Sequence, residues 1–136
     1  MSTASAPRRL EGLRVLVVDD DVPSAEALRE LIDEEGAYVQ AVNNGHDALA
    51  LTERSDFDVV ISDITMPGMD GHALLRALRD NARYASVPAV ACSGYSSNAD
   101  IGQALHSGFA MHLMKPLDME RVVSAILAVT TAPARR

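Results

Sequence analysis

Three aspartates, Asp19, Asp20 and Asp21, follow one apolar run, and a fourth, Asp63, closes another, Val59-Val60-Ile61. Aspartate is a poor residue inside a buried strand, so one that ends a strand needs a reason. The reason favoured here is a place at the carboxyl edge of an open parallel sheet, where such folds hold ligands. Capping of the next helix is the plainer role, but Asp70, with Gly71 after it, is better placed for that. Ser93 and Lys115 follow two further apolar runs. Carboxylates drawn together repel one another, and a bound cation explains their joint presence. Oxygen donors alone, without histidine or thiolate spacing, favour a hard ion such as Mg²⁺ at Asp19, Asp20 and Asp63. Ser93 and Lys115 add a hydroxyl and a positive charge, which suit an anion with several oxygens such as a phosphoryl group. Singly, each has a bland reading: a solvated acidic turn, a surface lysine, a loop hydroxyl bonded to its own backbone. Their shared position at strand ends sets those readings aside.

The elements that must position these groups alternate. Arg14-Val15-Leu16-Val17-Val18 is a continuous branched run, as expected of a strand buried on both faces. Pro23 suits the first turn of a helix running to about Glu34, with Ala27, Leu28, Leu31 and Ile32 on its apolar side and Gly36 as its stop. Tyr38 to Val42 is a weaker strand; Asn43-Asn44-Gly45 turns the chain into a short helix through Ala48, Leu49 and Leu51. After the strand Val59 to Ile61, a helix from about Asp70 to Asp80 turns Leu74, Leu75 and Leu78 inward. Val87 to Cys92 is the fourth strand, with Pro88 at its entry, where a missing N–H is tolerable. A polar loop, Ser93 to Ser97, leads to a helix with Ile101, Ala104 and Leu105 that ends at Gly108. Ala110 to Met114 is the fifth strand, and Asp118 can cap a last helix carrying Val122, Val123, Ile126 and Leu127. Repeated βα units joined by right-handed crossovers give a doubly wound α/β fold, so all the strand ends named above share one rim.

The 136 residues suit one domain, expected over 11–130 between disordered tails at 1–10 and 131–136. A formal net charge of −7 argues against a sequence-independent grip on nucleic acid or an anionic membrane. The lone Cys92 excludes an internal disulfide and a cysteine-based zinc site; set in an apolar run, it reads as buried and inert. No apolar run is long enough to span a bilayer, and Glu11, Arg14 and Asp19 break the segment that a twin-arginine signal at Arg8-Arg9 would need. A cytoplasmic protein is the expectation.

Four blocks carry a specific likeness: Val17-Val18-Asp19-Asp20, the run from Ser62 to Gly71, Ala91-Cys92-Ser93-Gly94 and Met114-Lys115-Pro116. Together they resemble the receiver domain of bacterial two-component response regulators, from about Leu13 to Val129. The resemblance implies a flavodoxin-like (βα)5 fold with strand order 2-1-3-4-5. It implies that Asp63 accepts a phosphoryl group from a histidine kinase or histidine phosphotransfer protein, and that the chain signals by a conformational switch rather than as an enzyme. By the same resemblance Asp20, Asp63 and the backbone carbonyl of Thr65 bind Mg²⁺, and Asp19 helps through water. Ser93 and Lys115 then contact phosphoryl oxygens, the Lys115-Pro116 bond is cis, and the fourth helix, fifth strand and fifth helix form a partner or homodimer face. The lead-in Leu10-Glu11-Gly12-Leu13 resembles those of receivers fused to kinases, so a stand-alone regulator and part of a longer, hybrid-kinase chain are both open.

Departures and rivals sharpen this reading. His112 stands where the family more usually has Tyr or Phe, and either takes that switching role or is a half-exposed strand residue. His46, His72 and His106 read as surface residues. Thr65 and Tyr95 lie two residues beyond Asp63 and Ser93, on the path of hydrolytic water in receivers; a bulky Tyr95 is expected to slow dephosphorylation. A haloacid-dehalogenase-type phosphatase using Asp19 and Asp21 is the enzymatic rival, but it leaves the Asp63 block unexplained. An interaction module that needs no phosphorylation is the other rival; such relatives usually lack an acidic or lysine position, and none is missing here. An FMN-binding flavodoxin is weaker still, because the first strand ends in acids rather than a phosphate loop.

Overall fold

The computed structural model describes residues 8–94 and 98–130. Five strands, β1 (Arg14–Val18), β2 (Tyr38–Val42), β3 (Val59–Asp63), β4 (Ala89–Ser93) and β5 (Met111–Met114), alternate with α1 (Val22–Glu34), α2 (Gly45–Thr52), α3 (Gly71–Arg79), α4 (Asn98–His106) and α5 (Met119–Thr130). A short 3-10 turn, Ala82–Tyr84, precedes β4. All pairings are parallel, in the order β2-β1-β3-β4-β5. The doubly wound fold and its strand order are therefore as expected.

Alternation along the strands divides the interior in two. Val15, Val17, Val59, Ile61, Val90, Cys92 and Leu113 face α1 and α5, where Leu28, Ile32, Val122 and Ile126 complete one core. Leu16, Val18, Val60, Ala89 and Ala91 face the other way, onto Ala48, Leu74, Leu75, Leu78 and Ala104. Each fully buried aliphatic side chain contributes roughly 1.5–3 kcal/mol, so both layers hold the sheet between them. The same alternation, continued past the last apolar residue, decides which way each polar strand end points.

The caps are local. Asp21 accepts from the Ser24 amide at the start of α1, Asn44 from Asp47 at α2, and Asp70 from Ala73 at α3. Asp118 accepts from the Arg121 amide at α5. Asp70 thus fills the capping role that competed for Asp63.

Several expectations need correction. Ala25, Leu28 and Ile32 form the buried stripe of α1, while Ala27 is exposed and Leu31 half-buried. Residues 27 and 31 lie off the stripe set by 25, 28 and 32, and with Leu117 and Pro116 they line an open groove of about 440 Å³ beside Asp19 and Lys115. In α4, Ala104 is buried and Leu105 exposed. The tail expected over 1–10 does not extend to its last two residues. Leu10 is fully buried in the α1/α5 core, its amide donates to the Glu35 carbonyl, and Arg9 bridges Glu35 and Glu120. The expectations for 1–7, for 131–136 and for Tyr95 lie outside the described residues.

Candidate functional site

Strand parity builds the site. Asp19 continues the Val15, Val17 face of β1, Asp63 the Val59, Ile61 face of β3, and Lys115 the Met111, Leu113 face of β5. All three side chains therefore turn to the α1/α5 side of the rim. Lys115 Nζ lies 3.1 Å from Asp19 Oδ2 and 2.8 Å from Asp63 Oδ1. Asp19 and Asp63 are buried, at 4% and 7% exposure, whereas Asp20 is open to solvent. One ligand oxygen from each of Asp19, Asp20 and Asp63 falls within 4.8 Å of the others. The Lys115-Pro116 bond is cis, as the resemblance implies.

The backbone around these groups is tied. The Asp19 carbonyl accepts from Asn43 Nδ2, and its carboxylate accepts from the Asp21 amide. Ser62 Oγ donates to the Asp63 carbonyl, and the Ile64 amide donates to Cys92. Gly71 is pressed onto the end of β3: a Cβ there would stand 2.5 Å from the Asp63 carbonyl oxygen. Gly68, in the turn between, has φ +76°, a conformation that favours glycine.

Electrostatics at the rim are unbalanced. Burial, then the neighbouring Asp19, push the Asp63 carboxyl up to about 7, and Lys115 only partly offsets this. Burial works against the Lys115 charge, but the two carboxylates outweigh it and hold the ammonium above its ordinary pKa. Three carboxylates against one ammonium leave a formal charge of −2 when all are ionised. Oxygen donors at this spacing with that excess charge fit one hard divalent cation.

A cavity of about 290 Å³ opens over Asp63, lined by Thr65, Cys92, Ser93, Gly94 and Lys115. It thus gathers two of the expected metal-site residues, Asp63 and Thr65, with the expected phosphoryl contacts Ser93 and Lys115. Cys92 is buried and its thiol is pushed up to about 12 by that burial, so it is an inert wall. Ser93 has the opposite parity: it continues the Ala89, Ala91 face, toward α3 and α4. Its Oγ lies 2.9 Å from His112 Nε2. That bond was not foreseen, although the register supplies the signal: His112 pairs with Ala91, which shares a face with Ser93 two residues on. His72 also departs from its expected surface role, with Nδ1 2.8 Å from Ser107 Oγ and its ring edge-on to Phe109. Asp21 is exposed and committed to Ser24, whose amide and hydroxyl both donate to it and lower its pKa. That arrangement gives no support to a second catalytic acid at Asp21.

A five-stranded parallel sheet with helices on both faces and its polar strand ends gathered on one rim defines a flavodoxin-like domain. The chain belongs to the response regulator receiver domain family, whose model matches residues 15–127. An uncharacterized 14.6 kDa protein of Leptolyngbya boryana, from the sodA1 3′ region, is 38% identical over 109 residues, covering 80% of this chain and 83% of its own. The sensor histidine kinase GacS of Pseudomonas protegens is 33% identical over 120 residues, which are 86% of this chain but 13% of GacS. The chemotaxis response regulator CheY4 of Vibrio cholerae superimposes with a TM-score of 0.81 at 27% identity, over 86% of this chain and 98% of that one. Receiver domains are signalling modules of two-component systems, found alone or in hybrid kinases, and they interact in general with histidine kinases or phosphotransfer proteins. Among the described residues no helix is long and apolar enough to cross a membrane.

Proposed function

We propose that Asp63 accepts a phosphoryl group from a phosphohistidine on a histidine kinase or phosphotransfer protein, in a reaction that requires Mg²⁺. The observation that carries this reading is one buried carboxylate, Asp63, held against Lys115 within a three-acid cluster and beneath a cavity. Asp20, Asp63 and the Thr65 carbonyl would hold the ion, with Asp19 behind them. When bound, it supplies charge neutralisation for the acids and for the incoming phosphoryl oxygens. An Asp63 oxygen attacks phosphorus, the P–N bond to the donor imidazole breaks, and the imidazole leaves with that electron pair. Lys115 offsets charge on one phosphoryl oxygen, and Ser93 donates its hydroxyl proton to another.

The groove between α1 and the β5–α5 turn opens beside Asp19 and Lys115 and gives a donor side chain a way in. The read-out, to a partner or to a second copy, is assigned to the face of α4, β5 and α5, and the exposed Leu105 on α4 and Met114 on β5 support that assignment. The domain serves either as a regulator by itself or as the receiver part of a hybrid kinase.

Intact-mass measurement after exposure to a small phosphodonor tests the reading. One added phosphoryl group, lost without Mg²⁺ and lost in Asp63→Ala, is the expected result. Uptake that persists in Asp63→Ala, or needs no divalent ion, overturns it.

A further inference from the structure

Ser93 and His112 form a pair whose chemistry the acceptor site does not by itself explain. The register Ala91↔His112 sets the imidazole on the same face as Ser93, diagonally across two neighbouring strands. The 2.9 Å separation of Oγ and Nε2 is a full hydrogen bond. A serine hydroxyl has one proton, and a neutral imidazole has one N–H that can sit on either nitrogen. When Nε2 is bare, it takes the Ser93 proton, and that proton is lost to any oxygen in the cavity over Asp63. When Nε2 carries hydrogen, Ser93 accepts from the ring and can turn its own proton toward a phosphoryl oxygen in the cavity. The two arrangements differ in what Ser93 can offer an anion, at unchanged heavy-atom positions.

We propose that His112 is a proton-linked positioning residue. Its Nε2–H donates to Ser93 Oγ and so aims the Ser93 proton at a phosphoryl oxygen on Asp63. Proton uptake at His112 and phosphoryl occupancy of Asp63 then favour each other. The imidazolium form guarantees the donor arrangement, since both ring nitrogens carry hydrogen. The proton comes from water, one per domain, and no bond of the phosphoryl group is made or broken in the step. This inference rests on the acceptor role of Asp63. A Tyr or Phe in this position has no group that titrates near neutrality, so the linkage belongs to this chain's histidine.

The surroundings are consistent with a ring poised to change state. Burial lowers the His112 pKa, and Asp100 of α4 pulls the other way. Ser93 faces it from β4. The nearest cation on the rim, Lys115, is engaged with Asp19 and Asp63. With the site empty the ring is thus biased to its neutral form, and a dianion held by Ser93 supplies the missing incentive to charge.

The test uses fluoroberyllate with Mg²⁺ as a stand-in for the phosphoryl group. Ring titration of His112 by NMR is expected to show its pKa raised by about 0.5–1 on fluoroberyllate binding, a roughly three- to tenfold coupling. By reciprocity, wild-type affinity for fluoroberyllate gains relative to His112→Gln as pH falls from 8 to 6, approaching that factor as the free ring becomes fully protonated. The glutamine keeps an N–H donor without a titration, and comparison at each pH cancels any titration of the acids. In Ser93→Ala the His112 pKa is expected to stay put when fluoroberyllate binds. Overlapping ring titrations with and without fluoroberyllate overturn the proposal, and so does a shift of equal size in Ser93→Ala, which would be field alone. A wild-type chain that binds no fluoroberyllate removes the Asp63 reading itself, and this inference with it.

Discussion

The two faces of the sheet end differently. On the α1/α5 side the rim closes with Asp19, Asp63 and Lys115, a buried charged set locked by bonds of 2.8–3.1 Å. On the α3/α4 side it closes with Ser93 and His112, a neutral pair sharing one hydrogen bond. Beneath each lies an apolar core of ordinary make. The contrast teaches that one strand period supplies two kinds of function. The charged side is under an electrostatic stress that the proposed ion would relieve; the neutral side carries no such stress and, on the proposal above, responds to the phosphoryl group through one proton.

Truncating Lys115 breaks the comparison most strongly. Lys115→Ala leaves two buried carboxylates facing each other, and removing one partner of a buried ion pair costs about 3–5 kcal/mol. Because Lys115 is partly open to water, a loss of roughly 2–3 kcal/mol is expected by urea denaturation at pH 8 without metal, shrinking when Mg²⁺ is added. Gly71→Ala is next. Its Cβ would meet the Asp63 carbonyl at 2.5 Å, and overpacking of this kind costs about 1–3 kcal/mol in the same assay.

Asp63→Asn sharpens the contrast in the opposite direction. The folded pKa of about 7 lies above the ordinary carboxylate value, so the folded state holds the proton more tightly than the unfolded chain. Ionised Asp63 therefore weakens the metal-free fold above about pH 7, and this penalty fades as pH falls toward the ordinary carboxylate range. Thermal unfolding without metal should show the asparagine variant melting higher at pH 8, with the gap closing toward pH 5. Equal midpoints at pH 8 would remove the stress attributed to the charged face. Ser93→Ala is the smallest change: loss of its half-exposed bond to His112 is expected to cost under about 1 kcal/mol.

Much of the charged face was legible in the sequence, because it needs only alternation and the ends of apolar runs. Val15, Val17 and Asp19 are two apart, as are Val59, Ile61 and Asp63, and parity alone turns both acids the same way. The strand order was not legible from periodicity and came from the resemblance to receivers. The Ser93–His112 bond needed the register of β4 against β5, which local pattern does not fix. The clasp of Arg9 on Glu35 and Glu120 joins residues 26 and 111 positions apart, inside a stretch whose composition reads as tail. Its buried anchor, Leu10, carries no periodic signal because no helix or strand surrounds it.

The account stands on which aspartate carries the phosphoryl group. Borohydride reduction of the freshly phosphorylated chain, followed by peptide mass mapping, reads that position directly, since an acyl phosphate is converted to an alcohol where it stands. Homoserine at position 63, with Asp19, Asp20 and Asp21 unchanged, is the expected outcome. Reduction at Asp19 or Asp21 with Asp63 intact would contradict the account and point to phosphatase-like chemistry at the end of β1.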